Sequence, residues 1–467
     1  MAPGRRPRGI DWWALSRCLG CLQAGVSLVL PKMEAGSADH RMEGSFGKVL
    51  MDARRAAEPA EPTAGIPASR PWGTDLIVGD ISAVGNFASE AGLEAFSLGE
   101  SVCNIGSQNA SWEHGTPQHP IAGQNMFRLK SGRFEQIGQA WVFHEFVALA
   151  QNLCGCTCNG QGGNMLGAGC SNPHTSGYLG LQENLGPKSE INAFAGTLPF
   201  PPSNPSFSGP VARRLQVKIS DLDPAQNGGG LYFVEVQYVA AEDSAAGHRD
   251  NNASYRPANI SGSGTTWNAT LTGSTQREKP AIRAWKDHDP GAVETDVKIS
   301  GEGLLILAAK VTDLGDGFWH YEYALQNLNS DRSAGSFSIP VSPYAIVQNI
   351  GFNDVDYHSG EPYDGTDWTV TRGQDALTWS TIPFEVNPDA NALRWGTLYN
   401  FRFDANVPPG TTDATIGLFK PGTPLSVSAE TVGPGRVVAP TLSVAGVVLL
   451  TGLLFAVGAL LLRVRRA

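Results

Sequence analysis

The chain has 467 residues, a length that suits about three domains, or fewer if they are large β-sandwiches. Its 44 acidic and 34 basic residues leave a net charge of -10, and no basic block interrupts the body of the chain, which excludes general nucleic-acid binding. The 55 glycines and 31 prolines, with few long Ala/Leu/Glu/Lys runs, argue against helical bundles and for many short strands joined by turns. The expected fold is all-β: two β-rich regions, the second an antiparallel β-sandwich, followed by a C-terminal transmembrane helix.

Residues 1–31 carry Arg5, Arg6 and Arg8 ahead of a patchy apolar stretch, 12–30, broken by Arg17 and Gln23. This reads as a signal-like segment for export, with Met33, Met42 and Met51 as later possible starts. Residues 54–71 are rich in Ala, Pro and Glu and cannot bury a core, so 1–72 is expected to be a signal-like segment plus disordered linker.

A Cys/Gly-rich β domain is expected over 73–205. Short apolar runs at 76–78, 95–98 and 126–129, separated by glycine and asparagine, predict strands and turns. The apolar stretch 141–153 is long enough for either a helix or a buried strand, and periodicity does not separate the two. It leads into the cysteines, and the Gly/Asn/Pro-rich stretch 164–200 reads as a long irregular loop.

A proline-rich joint at 199–210 opens a β-sandwich region, 206–425, with room for two sandwiches. In 231–239, Tyr232, Val234, Val236 and Tyr238 share one face and Glu235 and Gln237 the other, the pattern of a half-buried strand. The same alternation is strongest from Phe318, where Trp319, Tyr321, Tyr323 and Leu325 oppose His320 and Glu322. Further strands at 336–341, 347–352, 368–371, 377–380, 393–403 and 414–419 have the spacing of an antiparallel sandwich. Residues 426–443 read as a stalk.

Residues 444–462 carry no charge, and as a helix they rise about 28 Å, close to the roughly 30 Å of a bilayer's hydrocarbon core. Arg463, Arg465 and Arg466 follow, so 463–467 is expected to be a cytoplasmic tail, with the bulk of the single-pass chain extracytoplasmic at the cell membrane. Pro440-Thr441-Leu442-Ser443, the apolar helix and the arginine cluster together resemble the IPTL and PEP type C-terminal sorting segments of exported bacterial proteins, although Ala439 stands where isoleucine is usual. The resemblance covers only the tail, and implies export and holding at the membrane. Residues 318–329 and 391–404 are similar to strand patterns in uncharacterised exported proteins of environmental bacteria, and carry no assigned activity.

Three groups of residues carry candidate chemistry. Cys154, Cys156, Cys158 and Cys170, with His114, His119, His144 and His174, offer sulfur and imidazole ligands for Zn or Cu if the Cys-x-Cys-x-Cys segment is extended. In an oxidising compartment the same cysteines, with Cys103, would instead staple a glycine-rich loop by disulfides. Seven cysteines leave one unpaired, and the spacing does not decide the pairing. The acidic run Asp354, Asp356, Glu361, Asp364 and Asp367 could supply oxygen ligands to Ca²⁺, or form ordinary solvated turns. Asp221 with Asp223, and Asp287 with Asp289, are candidate acid pairs for glycoside hydrolysis, but each pair precedes a proline and reads more simply as turn initiation.

These readings converge on a membrane-anchored, surface-displayed bacterial protein for adhesion, envelope structure or ligand binding. Its partners would be the membrane, through the C-terminal helix, and a surface polysaccharide or protein ligand, with nucleic acid excluded. The alternative is an anchored secreted enzyme or metalloprotein with its His/Cys site in the first domain. A carbohydrate-binding module is a third reading, and needs two or more of Trp267, Trp285, Trp368, Trp379 and Trp395 coplanar on an exposed surface.

Overall fold

The computed structural model describes residues 70–435 and 451–459, apart from 145–146, 182–184 and 204–208. The signal-like segment and almost all of the linker lie outside the described residues, as does most of the expected span. Residues 451–459 are helical and mostly exposed, and among the described residues no helix is long and apolar enough to cross a membrane.

The chain is predominantly β, and its paired strands are antiparallel. The largest sheet orders its main strands as Leu76–Asn86, Leu93–Asn104, Leu215–Lys218, Arg133–Gln139, Ile121–Lys130, Leu231–Val239, Ala253–Ser263 and Thr266–Leu271. It is rolled so that its first strand comes round against its last two. Side chains stitch that seam. Ser254 Oγ donates to the Val78 carbonyl at 2.8 Å, and the Asn86 carboxamide accepts from the Ala269 N–H at 2.8 Å. Inside the roll lie Val78, Leu98, Met126, Trp141, Val234 and Tyr238.

Two five-stranded sheets make the sandwich. The central one contains Val293–Ile299, Gly303–Asp313, Trp319–Asn327, Thr397–Ala405 and Val347–Asn353, and the outer one ends on Ser426–Pro434. Leu305, Leu307, Tyr321, Tyr323, Phe401 and Phe403 pack against Phe337, Ile339, Leu377 and Trp379 of the outer sheet. The alternate residues Leu304, Ile306, Ala308, Ala324 and Leu398 point the other way, into a second core with Phe127, Phe134 and Phe233 on the outside of the roll. The molecule is therefore three layers deep, and its middle sheet is apolar on both faces.

Three domain-level expectations change. The strands Leu215–Lys218, Leu231–Val239, Ala253–Ser263 and Thr266–Leu271 fall in the expected sandwich region 206–425, yet they hydrogen-bond into the first sheet, so the joint at 199–210 is not a boundary between sheets. The change of body comes after residue 271, around a short helix, Arg283–His288, that seats Trp285 in the core between the layers. Residues 426–434 of the expected stalk form a strand paired with Pro409–Leu418, because Ala429, Thr431 and Gly433 alternate inward. Residues 141–153 contain only the short strand Val142–His144 and lead into loops.

In Leu231–Val239, and in Trp319–Asn327 beyond His320, the polar side is also buried. Glu235 and Gln237 face the sandwich, where Gln237 Nε2 donates to the Leu328 carbonyl at 2.7 Å and Gln326 Nε2 donates to Glu235 at 3.2 Å. Arg133 meets Glu322 at 2.9 Å, and His320 bridges Glu322 and Asp404. These partners offset the cost of taking the groups out of water.

Trp285 fills the core between layers without solvent contact, so Trp285→Ala is expected to cost about 3–5 kcal/mol in urea unfolding. In the wild type, far-ultraviolet circular dichroism and tryptophan fluorescence should follow one coincident transition, because roll and sandwich share that core.

Candidate functional site

Where the roll and the sandwich diverge they leave a cleft of about 540 Å³. One wall comes from three strands of the roll, which present Arg128, Glu135, Gln139, Gln216 and Lys218. The one-turn helix Ile219–Leu222 adds Ser220 and Asp221. The opposite wall is the segment 353–359 that follows the sandwich strand Val347–Asn353.

That segment is tied to the roll along its length. Gln139 Nε2 donates to the Asp356 carbonyl at 2.8 Å, and the Trp141 indole donates to the Ser359 carbonyl at 3.0 Å. His358 is buried, with Nε2 at 2.8 Å from the Arg214 carbonyl, and burial pushes its pKa down to about 4. A neutral imidazole in that position is a strut for the wall.

The charges of the cleft are mostly paired. Arg128 holds Glu135 at 2.8 Å and Asp221 at 3.0 Å, and Lys218 meets Asp356 at 2.7 Å across the cleft. Both members of this last pair are more than half exposed, so it contributes little to stability and is open to exchange with a ligand. Asp354 differs from the others. Burial pushes its pKa up to about 6, the negative charges of Asp367 and Asp356 push the same way, and a hydrogen bond from the Asn391 amide at 2.5 Å opposes them. Among the described residues no cation bonds it. Burial thus holds Asp354 toward its protonated form, a property that makes a cleft carboxyl a candidate functional group.

The structure disperses the expected His/Cys set. Cys103 is bonded to Cys154 and Cys158 to Cys170, while Cys156 is a buried free thiol. Gly79 lies directly beneath the first disulfide, where a Cβ would overlap both sulfurs. His119 Nε2 and His144 Nδ1 are 3.0 Å apart and buried, and burial, with the charge of His119, pushes His144 down to about 3. His174 is bound to Glu100 at 3.0 Å, and His114 is exposed. Among the described residues no group of three or more His, Cys, Asp or Glu is arranged to hold a metal ion.

The acidic run is likewise spread out. Asp354 and Asp356 line the cleft, whereas Glu361 accepts the N–H groups of Lys188 and Ser189 at 2.6 and 3.1 Å. Asp364 closes its own turn on Thr366, and Asp367 lies near enough to Asp354 for its charge to be felt there. Asp223 caps the short helix Pro224–Asn227 through the Ala225 N–H, Asp287 accepts from Tyr255 at 2.6 Å, and Asp289 pairs with Lys310. Trp267, Trp285, Trp368, Trp379 and Trp395 are all buried, so they form no exposed stacking platform. Of the residues singled out in the sequence, Asp221, Asp354 and Asp356 meet at the cleft. Arg128, Gln139, Gln216 and Lys218 carry no sequence signal.

No family model and no curated protein matches the chain. Among solved structures, the serine-rich repeat adhesion glycoprotein Srr1 of Streptococcus agalactiae is similar over 77% of this chain and 98% of its own, at 8% identity and a TM-score of 0.21. So loose a superposition transfers neither site nor activity.

Two outcomes are expected. Asp354 has a folded pKa of about 6 against an ordinary value of 3.8, so it favours the folded state below pH 3.8 and that contribution is lost as pH rises through 6. Asp354→Asn should therefore match wild-type stability near pH 3 and exceed it above pH 6, by on the order of 2–3 kcal/mol in denaturant titrations. The Cys103–Cys154 bond closes a separation of 51 residues, and replacing both cysteines by serine should cost about 2–4 kcal/mol, read as a lower melting temperature insensitive to reductant at that site.

Proposed function

We propose that the chain is a surface-displayed binding protein, held by its C-terminal segment, and that the cleft between roll and sandwich takes a hydroxyl-rich ligand of the polysaccharide class. The observation that carries this reading is the wall chemistry. The Ser220 hydroxyl, the Lys218 ammonium and the Asp356 carboxylate, all at exposed positions, stand on the walls beside the half-buried Gln216 amide. A ligand must both donate and accept hydrogen bonds to satisfy such walls, as sugar hydroxyls do, while a lipid or other apolar ligand would leave them unpaired. The volume lies in the range of small-molecule sites.

Support for display at the surface comes from the charge-free stretch 444–462, its flanking arginines, and disulfides of the kind that persist outside the cytoplasm. Attachment or envelope structure then follows from holding a polysaccharide at a fixed distance from the membrane. The His/Cys enzyme reading has less to support it, since the two disulfides take four of the five cysteines of that region, and among the described residues no group of three or more His, Cys, Asp or Glu is arranged to hold a metal ion.

A glycan array followed by calorimetry on the hits tests the proposal. Lys218→Ala and Asp356→Asn, both at exposed positions, should weaken binding at least tenfold, about 1.4 kcal/mol, with an unchanged melting temperature. Capture of no glycan, or equal binding by wild type and both variants, would sink it, and turnover of the bound glycan would replace binding with hydrolysis.

A further inference from the structure

Beneath the cleft, where roll and sandwich meet, a lysine is enclosed with a carboxamide and a carboxyl. Lys188 begins the one-turn helix Lys188–Glu190, and its Nζ lies 2.8 Å from Asn125 Oδ1, on the strand Ile121–Lys130. Asn125 Nδ2 in turn donates to Glu235 Oε1 at 2.9 Å, from the neighbouring strand Leu231–Val239. All three side chains are buried, and the ammonium sits 5.8 Å from the centre of the Trp395 ring. We propose that Lys188 and Asn125 are joined by an intramolecular amide bond that the folded chain forms by itself, with Glu235 as the catalytic acid–base group.

Each part of the reaction has its residue. An amine attacks a carboxamide only when uncharged, and burial pushes Lys188 down to about 8 and Glu235 upward, which lowers the cost of passing from the charged pair to the neutral one. Gln136 Nε2 donates to Asn125 Oδ1 at 3.1 Å, on the oxygen where negative charge collects as the nitrogen adds. Glu235 is fixed for its task by the Ala281 N–H at 2.6 Å and by Gln326 at 3.2 Å. Holding nucleophile and carbonyl in contact within a packed core supplies the proximity that makes an otherwise slow amide exchange feasible.

The atoms balance without an outside reagent. The ε-ammonium passes one proton to Asn125 Oδ1, which it contacts, while Nδ2 passes one to Glu235, and the freed amine forms a bond to Cγ of Asn125. Glu235 and Oδ1 each return a proton to Nδ2, the Cγ–Nδ2 bond breaks, and ammonia leaves. The bridging nitrogen gives its surplus proton to the ammonia, so ammonium departs and Glu235 ends as the carboxylate it began as. No electron is transferred. The product ties the Gly/Asn/Pro-rich stretch to the middle of the rolled sheet.

Gln139 is the competing carboxamide, its Oε1 at 3.2 Å from Lys188 Nζ. It has no carboxyl bonded to it among the described residues, which is why Asn125 is assigned. Peptide mass spectrometry of the full-length folded protein, digested after reduction of its disulfides, is the test. The expected result is one branched peptide joining Lys188 to Asn125, lighter than the sum of its arms by one ammonia, and absent from Lys188→Met and Glu235→Gln. Unbranched Lys188 and Asn125 peptides from a wild-type protein that melts cooperatively would overturn the proposal. So would a branch to Gln139, or full cross-linking in Glu235→Gln. The wild-type measurement stands whether or not either variant folds.

Discussion

The alternation in Gly303–Asp313 and its neighbours governs the rest of the molecule. Leu305, Leu307 and Ala309 fill the sandwich, while Leu304, Ile306 and Ala308 fill the space against the roll. A sheet apolar on both faces is stable only when covered on both, so neither the roll nor the outer sheet can leave without exposing a core. This double coverage also sets the cleft. Roll and sandwich are held by the apolar centre of their contact, and at its margin, where side chains turn polar, they part and leave an open space lined by Gln139, Lys218 and Asp356.

Between the apolar centre and the open cleft runs a zone of buried polar groups, including Asn125, Gln136, Glu235, Glu322 and Asn400. Gln136 is the clearest link: its Oε1 accepts the Leu398 N–H at 2.7 Å, and its Nε2 donates to Asn125 at 3.1 Å. Such contacts add little net stability compared with well-packed apolar groups, but shifting the sheets by one residue would leave them unpaired. They fix the register of roll on sandwich, and hence the shape of the cleft.

How much of this is legible in the sequence depends on the range of the interaction. Local patterns read well: the strands at 76–78, 95–98 and 319–325 and the inward faces of Tyr232, Val234, Tyr321 and Tyr323 follow from period-two alternation alone. Alternation says that two faces differ, not what covers each. Glu235 and Glu322 therefore read as solvent-facing, though both are enclosed by the other body. Sheet membership is hidden for a related reason, since Leu215–Lys218 pairs with Leu93–Asn104 across more than a hundred residues, and only tertiary packing selects that partner. The cleft draws on several separate segments, and Lys188, alone in a Gly/Asn/Pro-rich stretch, carries no local mark of its burial beside Asn125. The cysteines announce cross-linking but not its pairing, nor the close approach of Gly79 to the first disulfide.

Strand Ser426–Pro434 is the last of the outer sheet and has one backbone ladder, with Pro409–Leu418, running antiparallel from Pro434 opposite Pro409 to Ser426 opposite Gly417. A mechanical load applied beyond residue 435 therefore meets the ladder at its open end. It breaks the backbone bonds one pair at a time, as a zip opens, instead of all together in shear. The edge of the sandwich yields first under such a load, while the roll, whose seam is closed by side-chain stitches, keeps its shape.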